Sequence, residues 1–180
     1  RNLLKMTMPG RFFLHKFLRQ AVNAGMQYAV IEMTSEGARQ FRHKFIALDA
    51  LVVTNISPEH IESHGSYEKY LDAKLSIARA LSKSKKENRV LIVNGDDEEA
   101  GKFLAVPNVK KLTYKLDQAR EVSLAGGTAN FKIGDMTLKT NLTGLFNVYN
   151  LLAAITFGKS QSIKEKTIKI ALEKIKTIRG

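Results

Sequence analysis

Apolar runs alternate with amphipathic stretches along the first two thirds of the chain. Continuous apolar runs predict buried strands at 28–33 and 50–54, a third strand is predicted at 89–94, and a short strand at 110–114. Apolar positions at helical spacing between them predict helices. The clearest are one that begins near Phe12 and stops at Gly25, a short one capped by Thr34, one from Tyr67 to about Leu81 capped by Ser66, and one through about Phe103.

The pattern changes after residue 118, where short segments alternate between apolar and polar residues. These segments lie at 121–124, 129–133 and 136–141. They are separated by Gly126-Gly127 and by Gly134-Asp135, which predicts antiparallel hairpins. Gly144 then leads into a helix to about Phe157, and Ser162 is predicted to cap a last helix that ends near Arg179. The predicted fold is α/β, a doubly wound and mostly parallel sheet with helices on both faces and a small antiparallel section.

Composition restricts the function classes. A chain of 180 residues with 44% hydrophobic and 26% charged residues is expected to form one globular domain or a large piece of one. The absence of cysteine excludes disulfides and thiolate metal sites, which fits a cytoplasmic protein. No apolar run approaches the roughly 20 residues that span a bilayer, so no membrane partner is expected.

The net charge of +12 allows a second function class, a basic module that binds nucleic acid or an acidic partner. The basic residues, however, are typical of solvated helix faces, and no aromatic residues are interleaved with them for base stacking. The sequence therefore favours no nucleic-acid partner. A salt-sensitive mobility shift with random DNA, insensitive to Glu32→Ala, would favour the binding module instead.

Polar side chains follow two of the predicted strands. Glu32 interrupts the first apolar run, while His60 and His64 lie in the loop after the second. Open α/β sheets bind ligands at the carboxyl ends of their strands, and Mg²⁺ favours carboxylate ligands. These residues are therefore candidate ligands, although Glu32 and His60 also suit a solvated surface and His64 suits a structural role.

Lys74 lies inside the helix that follows this loop, where an exposed lysine is the ordinary interpretation. If it is buried, desolvation favours its neutral amine, which reacts with carbon dioxide to give a carbamate that can bind a metal. Ala153–Ser160 nearly spells a phosphate-binding loop, but alanine replaces its first glycine and no strand precedes it. We therefore reject that motif.

Taken together, the ordered motifs resemble the central ATPase domain of the Mur ligases, and most closely the tripeptide-forming type. The motifs are Val30-Ile-Glu-Met-Thr-Ser-Glu-Gly37, Thr54-Asn-Ile-Ser-Pro-Glu-His60, Tyr70-Leu-Asp-Ala-Lys74, Asn94-Gly-Asp-Asp97 and Gly144-Leu-Phe-Asn-Val-Tyr-Asn150. The resemblance covers nearly the whole chain. It implies an enzyme of peptidoglycan precursor synthesis, and hence of cell shape and division.

The resemblance also implies roles for individual residues. Glu32, His60 and a carbamylated Lys74 match the magnesium site, and His60 and Lys74 are the expected catalytic residues. The residues that match family contacts to the muramoyl-peptide nucleotide are Thr7, Pro9, Thr34, Ser35, Gln40 and Arg42. Those that match contacts to ATP are Asn55, Asn147 and Asn150. The implied partners are ATP, Mg²⁺, UDP-N-acetylmuramoyl-dipeptide and an amino acid, and a monomer is expected.

The sequence departs from the family pattern at Met8, where a second threonine is usual, and at Glu59, where aspartate is common. Residues 1–180 are expected to be an incomplete central domain that lacks the phosphate loop, the uridine-binding domain and the C-terminal domain. Such a piece is expected to be inactive alone, and it does not reveal which amino acid is added. A related folylpolyglutamate-type amide ligase is an alternative, against which the segment with Thr7, Thr34, Gln40 and Arg42 argues.

Overall fold

The computed structural model describes residues 10–57 and 61–175, except the side chains of residues 61 and 63. The chain divides into two compact units. The first comprises Arg1–Asp49 and Ser57–Arg89, and the second Ala50–Ile56 and Val90–Gly180. The predicted α/β class is confirmed, since a parallel sheet, an antiparallel sheet and seven α-helices lie in the described ranges.

The first unit is helical. Its helices are α1 (Arg11–Asn23), α2 (Ser35–Arg39), the one-turn α3 (Ile61–His64) and α4 (Tyr67–Ser82), and α2 packs against α4. Gly25 ends α1 as predicted, because its positive φ of 69° lets the amide of Met26 reach back to the carbonyl of Ala21. The predicted cap of α4 is also confirmed, with the Ser66 hydroxyl accepting from the amide of Lys69 at 3.3 Å.

The prediction of a buried strand at residues 28–33 is wrong. These residues have no regular secondary structure, and the side chains of Tyr28 and Val30 are 56% and 89% exposed. A strand needs a neighbouring strand to pair its backbone groups, and none of the described residues supplies one here. Two apolar side chains of α1 are likewise exposed, Phe12 at 91% and Phe13 at 62%, while Leu14 is buried.

The second unit contains the parallel sheet in the order β1-β2-β3. Its strands are β1 (Ala50–Val53), β2 (Val90–Asn94) and β3 (Lys110–Tyr114), and the register aligns Ala50 with Val90 and Val90 with Lys110. All five residues of β2 are buried, including the polar Asn94. The short α5 (Ala100–Leu104) packs on β2, and a 3-10 turn at Leu116–Gln118 follows β3.

The predicted antiparallel section is confirmed as β4 (Arg120–Ser123), β5 (Asn130–Ile133) and β6 (Met136–Lys139). Gly134 adopts a φ of 56° in the two-residue turn between β5 and β6. Two helices complete the unit, α6 (Leu145–Ser160), which packs on β2 and β3, and α7 (Glu165–Glu173), which packs on β6.

The prediction for the last helix is wrong at both ends. Lys164, not Ser162, is the N-cap of α7, since Ser162 takes a φ of 58° and cannot cap from there. The helix ends at Glu173, well before Arg179.

Residues 153–160, rejected above as a phosphate-binding loop, lie within α6 and form no loop. None of the helices in the described ranges is long and apolar enough to cross a membrane.

Candidate active site

A hydrogen-bonded polar network occupies the carboxyl edge of the parallel sheet in the second unit. Asp97 accepts from the amides of Ile56 at 2.7 Å and Glu99 at 2.9 Å. The amide group of Asn94 donates to the carbonyl of Thr54 at 3.1 Å. These hydrogen bonds join the segment after β1 to the turn after β2. The polar groups therefore lie at the edge of the sheet where α/β folds bind ligands.

Tyr114 also binds the segment after β1, through a hydroxyl in the core. Its buried hydroxyl lies 3.1 Å from the carbonyl oxygen of Val53 and 3.2 Å from that of Thr54, and donates to this pair. Burial, and to a lesser extent the nearby Asp97 and Tyr149, raises the pKa of Tyr114 far above its ordinary value. The ring therefore stays neutral and acts as a structural donor.

The start of α6 carries two of the three residues matched to ATP, Asn147 and Asn150. Gly144 precedes the helix with a φ of 83° and offers no side-chain cap. The Asn147 amide is buried, donates to the carbonyl of Thr143 at 2.7 Å and accepts from Asn150 at 3.3 Å. Asn150 is exposed at the surface of the helix. Asn55 is also exposed, and its carbonyl oxygen accepts from the hydroxyl of Thr54 at 3.3 Å.

Helix α2 in the first unit gathers the residues matched to the nucleotide substrate. The Thr34 hydroxyl accepts from the amide of Gly37 at 3.0 Å, which confirms the predicted cap. Glu36 accepts from Gln40 at 2.6 Å, and Gln40 in turn accepts from two guanidinium nitrogens of the buried Arg42 at 2.6 and 3.1 Å. Each polar side chain of this series orients the next one.

Glu36 is the acidic member of this series. Its carboxylate also accepts two hydrogen bonds from Arg39, at 2.8 and 2.9 Å. These bonds are the main reason that the pKa of Glu36 lies below its ordinary value. Glu36 therefore remains ionised and keeps the amide of Gln40 pointing toward it.

Ser35 and Lys74 are connected through two aromatic side chains. Nε2 of His64, which is only 6% exposed, lies 3.1 Å from the hydroxyl oxygen of Ser35. The ring of His64 meets the ring of Tyr70 edge-on, with centroids 5.5 Å apart. Nζ of Lys74 lies 5.2 Å from the centroid of the same Tyr70 ring. Lys74 is partly buried, which is less burial than the carbamate hypothesis assumed.

Several predicted site residues are not tested by these contacts. Glu32 is exposed, while Thr7, Pro9 and His60 lie outside the described residues. Within the described ranges no group of three or more His, Asp or Glu side chains could hold a metal ion. An open cleft of about 600 Å³ is lined by residues of α2, α3 and α4, among them Ala38, His64 and Ala73, but neither Glu32 nor Lys74 lines it.

Sequence reasoning missed the roles of Asp96, Asp97, Tyr114 and Tyr149. The signal for the two aspartates was available, because Asn-Gly-Asp-Asp follows a fully buried strand. The tyrosines gave no such signal, since each reaches its partner across more than fifty residues of sequence.

Residues 4–158 match the family model described as the Mur ligase middle domain. Two similar proteins are a UDP-N-acetylmuramoyl-L-alanyl-D-glutamate–2,6-diaminopimelate ligase of Geobacillus thermodenitrificans, 28% identical over 97% of this chain, and a UDP-N-acetylmuramyl-tripeptide synthetase of Roseiflexus sp., 32% identical over 91% of it. The chain spans only 38% and 36% of their respective lengths.

The fold is also similar to that of a crystal structure of MurF from Acinetobacter baumannii. The TM-score is 0.67 at 20% identity, and the match covers 78% of this chain and 32% of that one. At this level of identity the likeness concerns the fold alone.

Proposed function

Because this chain belongs to the Mur ligase middle-domain family, we propose that it is the ATP-binding part of a ligase that adds the third amino acid to UDP-N-acetylmuramoyl-dipeptide. The match over residues 4–158 carries the proposal, and the names of the two similar proteins support the tripeptide-forming type. Since the chain spans well under half of their lengths, the activity is proposed for a longer cytoplasmic, monomeric protein and not for these residues alone.

The proposed reaction has two steps. An oxygen of the dipeptide's terminal carboxylate attacks the γ-phosphorus of ATP, the bond to the β-phosphate oxygen breaks, and ADP leaves. The amine of the incoming amino acid then attacks the acyl phosphate carbon, a C–N bond forms, phosphate leaves with the C–O electron pair, and the amine loses a proton. Both steps bring anions together, so their barriers depend on positioning and on charge compensation.

The first unit is proposed to bind the nucleotide substrate through Thr7, Pro9, Thr34, Ser35, Gln40 and Arg42. The hydrogen-bonded series around α2 supports this role, because a guanidinium held by Gln40 is oriented before any anion arrives. Arg42 is suited to a carboxylate or phosphate, with which a guanidinium makes paired hydrogen bonds.

Lys74 is proposed to be carbamylated. Its neutral amine attacks the carbon of CO₂, a C–N bond forms, one C=O electron pair moves to oxygen, and the nitrogen loses a proton to solvent. The motif Tyr70–Lys74, which matches the family, supports this proposal. Among the described residues Nζ forms no ion pair, and its recorded contact is with the Tyr70 ring.

Glu32, His60 and the carbamate of Lys74 are the residues that would hold Mg²⁺. The two oxygen donors suit this cation, and the exposed carboxylate of Glu32 is not enclosed by the protein. When bound, Mg²⁺ would offset the negative charge of the phosphate oxygens. His60 would supply the third ligand.

The second unit is proposed to bind ATP through Asn55, Asn147 and Asn150. The amide of Asn147 is buried and bonded on both sides, so Asn150 is the member of the pair that can reach a base. Asn147 thus holds Asn150, and both lie in the first two turns of α6.

The test is phosphate release by the full-length protein that carries this domain. It requires ATP, Mg²⁺, UDP-N-acetylmuramoyl-dipeptide and a panel of amino acids that includes 2,6-diaminopimelate and L-lysine. We expect release only with the nucleotide substrate and one amino acid, and a loss of at least about a hundredfold in Lys74→Ala. Lys85→Ala, which removes an exposed lysine after the same helix, is the matched control and should keep wild-type activity.

Two results would contradict the proposal. One is phosphate release that does not depend on the muramoyl nucleotide, and the other is a Lys74→Ala variant as active as Lys85→Ala. The 180-residue chain alone should release no phosphate under the same conditions.

A further inference from the structure

His64 has no part in the reaction proposed above, yet it is more buried than most histidines. Its side chain is 6% exposed, and Nδ1 is buried without a hydrogen-bond partner among the described residues. Among the described residues its one hydrogen-bond contact joins Nε2 to the hydroxyl of Ser35 at 3.1 Å. A histidine that only fills space could be replaced by leucine, whereas this one also has a polar partner.

The two neighbours of His64 belong to different helices. Ser35 is the first residue of α2, the helix that carries the proposed contacts to the nucleotide substrate. Tyr70 lies in α4, is 3% exposed, and contacts the amine of Lys74 one turn later. The imidazole thus touches the beginning of α2 on one side and the ring beside Lys74 on the other.

We propose that His64 is a positioning residue for the nucleotide substrate. Its bond to Ser35 fixes the start of α2, and its edge-on packing against Tyr70 fixes the imidazole relative to α4. Helix α2 has only five residues, and a helix of so few turns has little stability of its own. Its orientation therefore depends on contacts such as this one. The inference rests on the proposed function, because it assumes that α2 binds substrate.

The contact predicts which substitutions preserve the effect. A glutamine can place its terminal amide near the position of Nε2, whereas the shorter asparagine amide reaches only the position of Nδ1. Because Nε2 makes the bond, His64→Gln should retain it, and His64→Asn and His64→Leu should lose it. Ser35→Ala removes the same bond from the other side.

The experiment compares these four variants in the full-length protein. The dissociation constant of UDP-N-acetylmuramoyl-dipeptide is measured by calorimetry, and KM and kcat are measured from phosphate release. We expect a rise of about five- to tenfold in the dissociation constant and KM of His64→Asn, His64→Leu and Ser35→Ala, the size of one lost hydrogen bond. His64→Gln should stay within about twofold of wild type, and kcat should change little in all four.

The split between KM and kcat separates positioning from stability. A purely structural role would lower the folded fraction, which reduces the apparent kcat and leaves the dissociation constant unchanged. Unchanged binding in His64→Asn and Ser35→Ala would overturn the inference, as would equal impairment of His64→Gln and His64→Leu. If one His64 variant fails to fold, the other two His64 variants, compared with wild type, still decide.

The double variant Ser35→Ala with His64→Asn adds a second criterion. If the two side chains act through one bond, the double variant should be no weaker in binding than either single variant. Fully additive losses would contradict the shared role. If the wild-type protein releases no phosphate that depends on UDP-N-acetylmuramoyl-dipeptide, the proposed function itself is refuted. That outcome is separate from the test of His64.

Discussion

The phenolic hydroxyl of Tyr149 donates to a carboxylate oxygen of Asp96 at 3.1 Å, and the same oxygen accepts from the backbone amide of Leu116 at 2.7 Å. One aspartate thus joins the first turns of α6, the turn after β2 and the 3-10 turn after β3. Its neighbour Asp97 joins the other side of that turn to the segment after β1.

Tyr149→Phe should lower the free energy of unfolding by about 0.5–1 kcal/mol, because it removes one hydrogen bond to a charged but exposed acceptor. Urea unfolding measures the change. Tyr28→Phe, at a largely exposed tyrosine, is the control and should change stability by less than about 0.5 kcal/mol. An equal effect of both substitutions would show that the Asp96 bond does not stabilise the unit.

Tyr114→Phe should lower the free energy of unfolding more, by about 1–2 kcal/mol at neutral pH, because the lost hydroxyl is buried and donates to two carbonyl groups. The difference in free energy of unfolding between wild type and variant should shrink as the pH rises above about 10. Burial raises the pKa of Tyr114 in the folded protein, so the unfolded chain loses the phenol proton first and the wild type is destabilised at alkaline pH. Urea unfolding between about pH 8 and 10.5 tests this, and a constant difference would contradict it.

His43 should make the wild type less stable as the pH falls below 6.5. Burial, followed by the nearby Lys44 and Arg11, lowers the pKa of this histidine, so the unfolded chain binds its proton first. His43→Leu should be as stable as wild type near pH 7, within about 1 kcal/mol, and more stable near pH 5.5. Parallel stability curves for the two proteins across this range would refute the assignment.

Gly158→Ala should lower the free energy of unfolding by about 1–2 kcal/mol, although alanine favours helix. A Cβ there would lie 2.8 Å from Cδ1 and 3.0 Å from Cγ1 of Ile168, between α6 and α7. Gly101→Ala is the matched control, because its Cβ would meet nothing within 4 Å in α5. It should stabilise by about 0.5–1 kcal/mol, and the same sign in both variants would be inconsistent with the packing argument.

Patterns that depend on neighbouring residues were predictable from the sequence. The cap at Ser66, the stop at Gly25 and the turn at Gly134 each depend on geometry within a few residues. The existence of β2 was equally clear, because four consecutive apolar residues, 90–93, form most of the strand.

Features that depend on distant residues were not predictable. The apolar run at 28–33 resembles β2 in sequence, but a strand exists only where another strand pairs with it. The sequence also allowed His64 to be either a ligand or a structural residue. Its partner Ser35 lies 29 residues away, and only the folded chain brings the two together.

The division of the chain into two units has a spectroscopic consequence. The protein has five tyrosines and no tryptophan, and Tyr28, Tyr67 and Tyr70 belong to the first unit while Tyr114 and Tyr149 belong to the second. Incorporation of 3-fluorotyrosine would therefore give five fluorine resonances, three from one unit and two from the other. A single denaturant titration, read from these two groups, reports whether the units lose their structure together or in sequence.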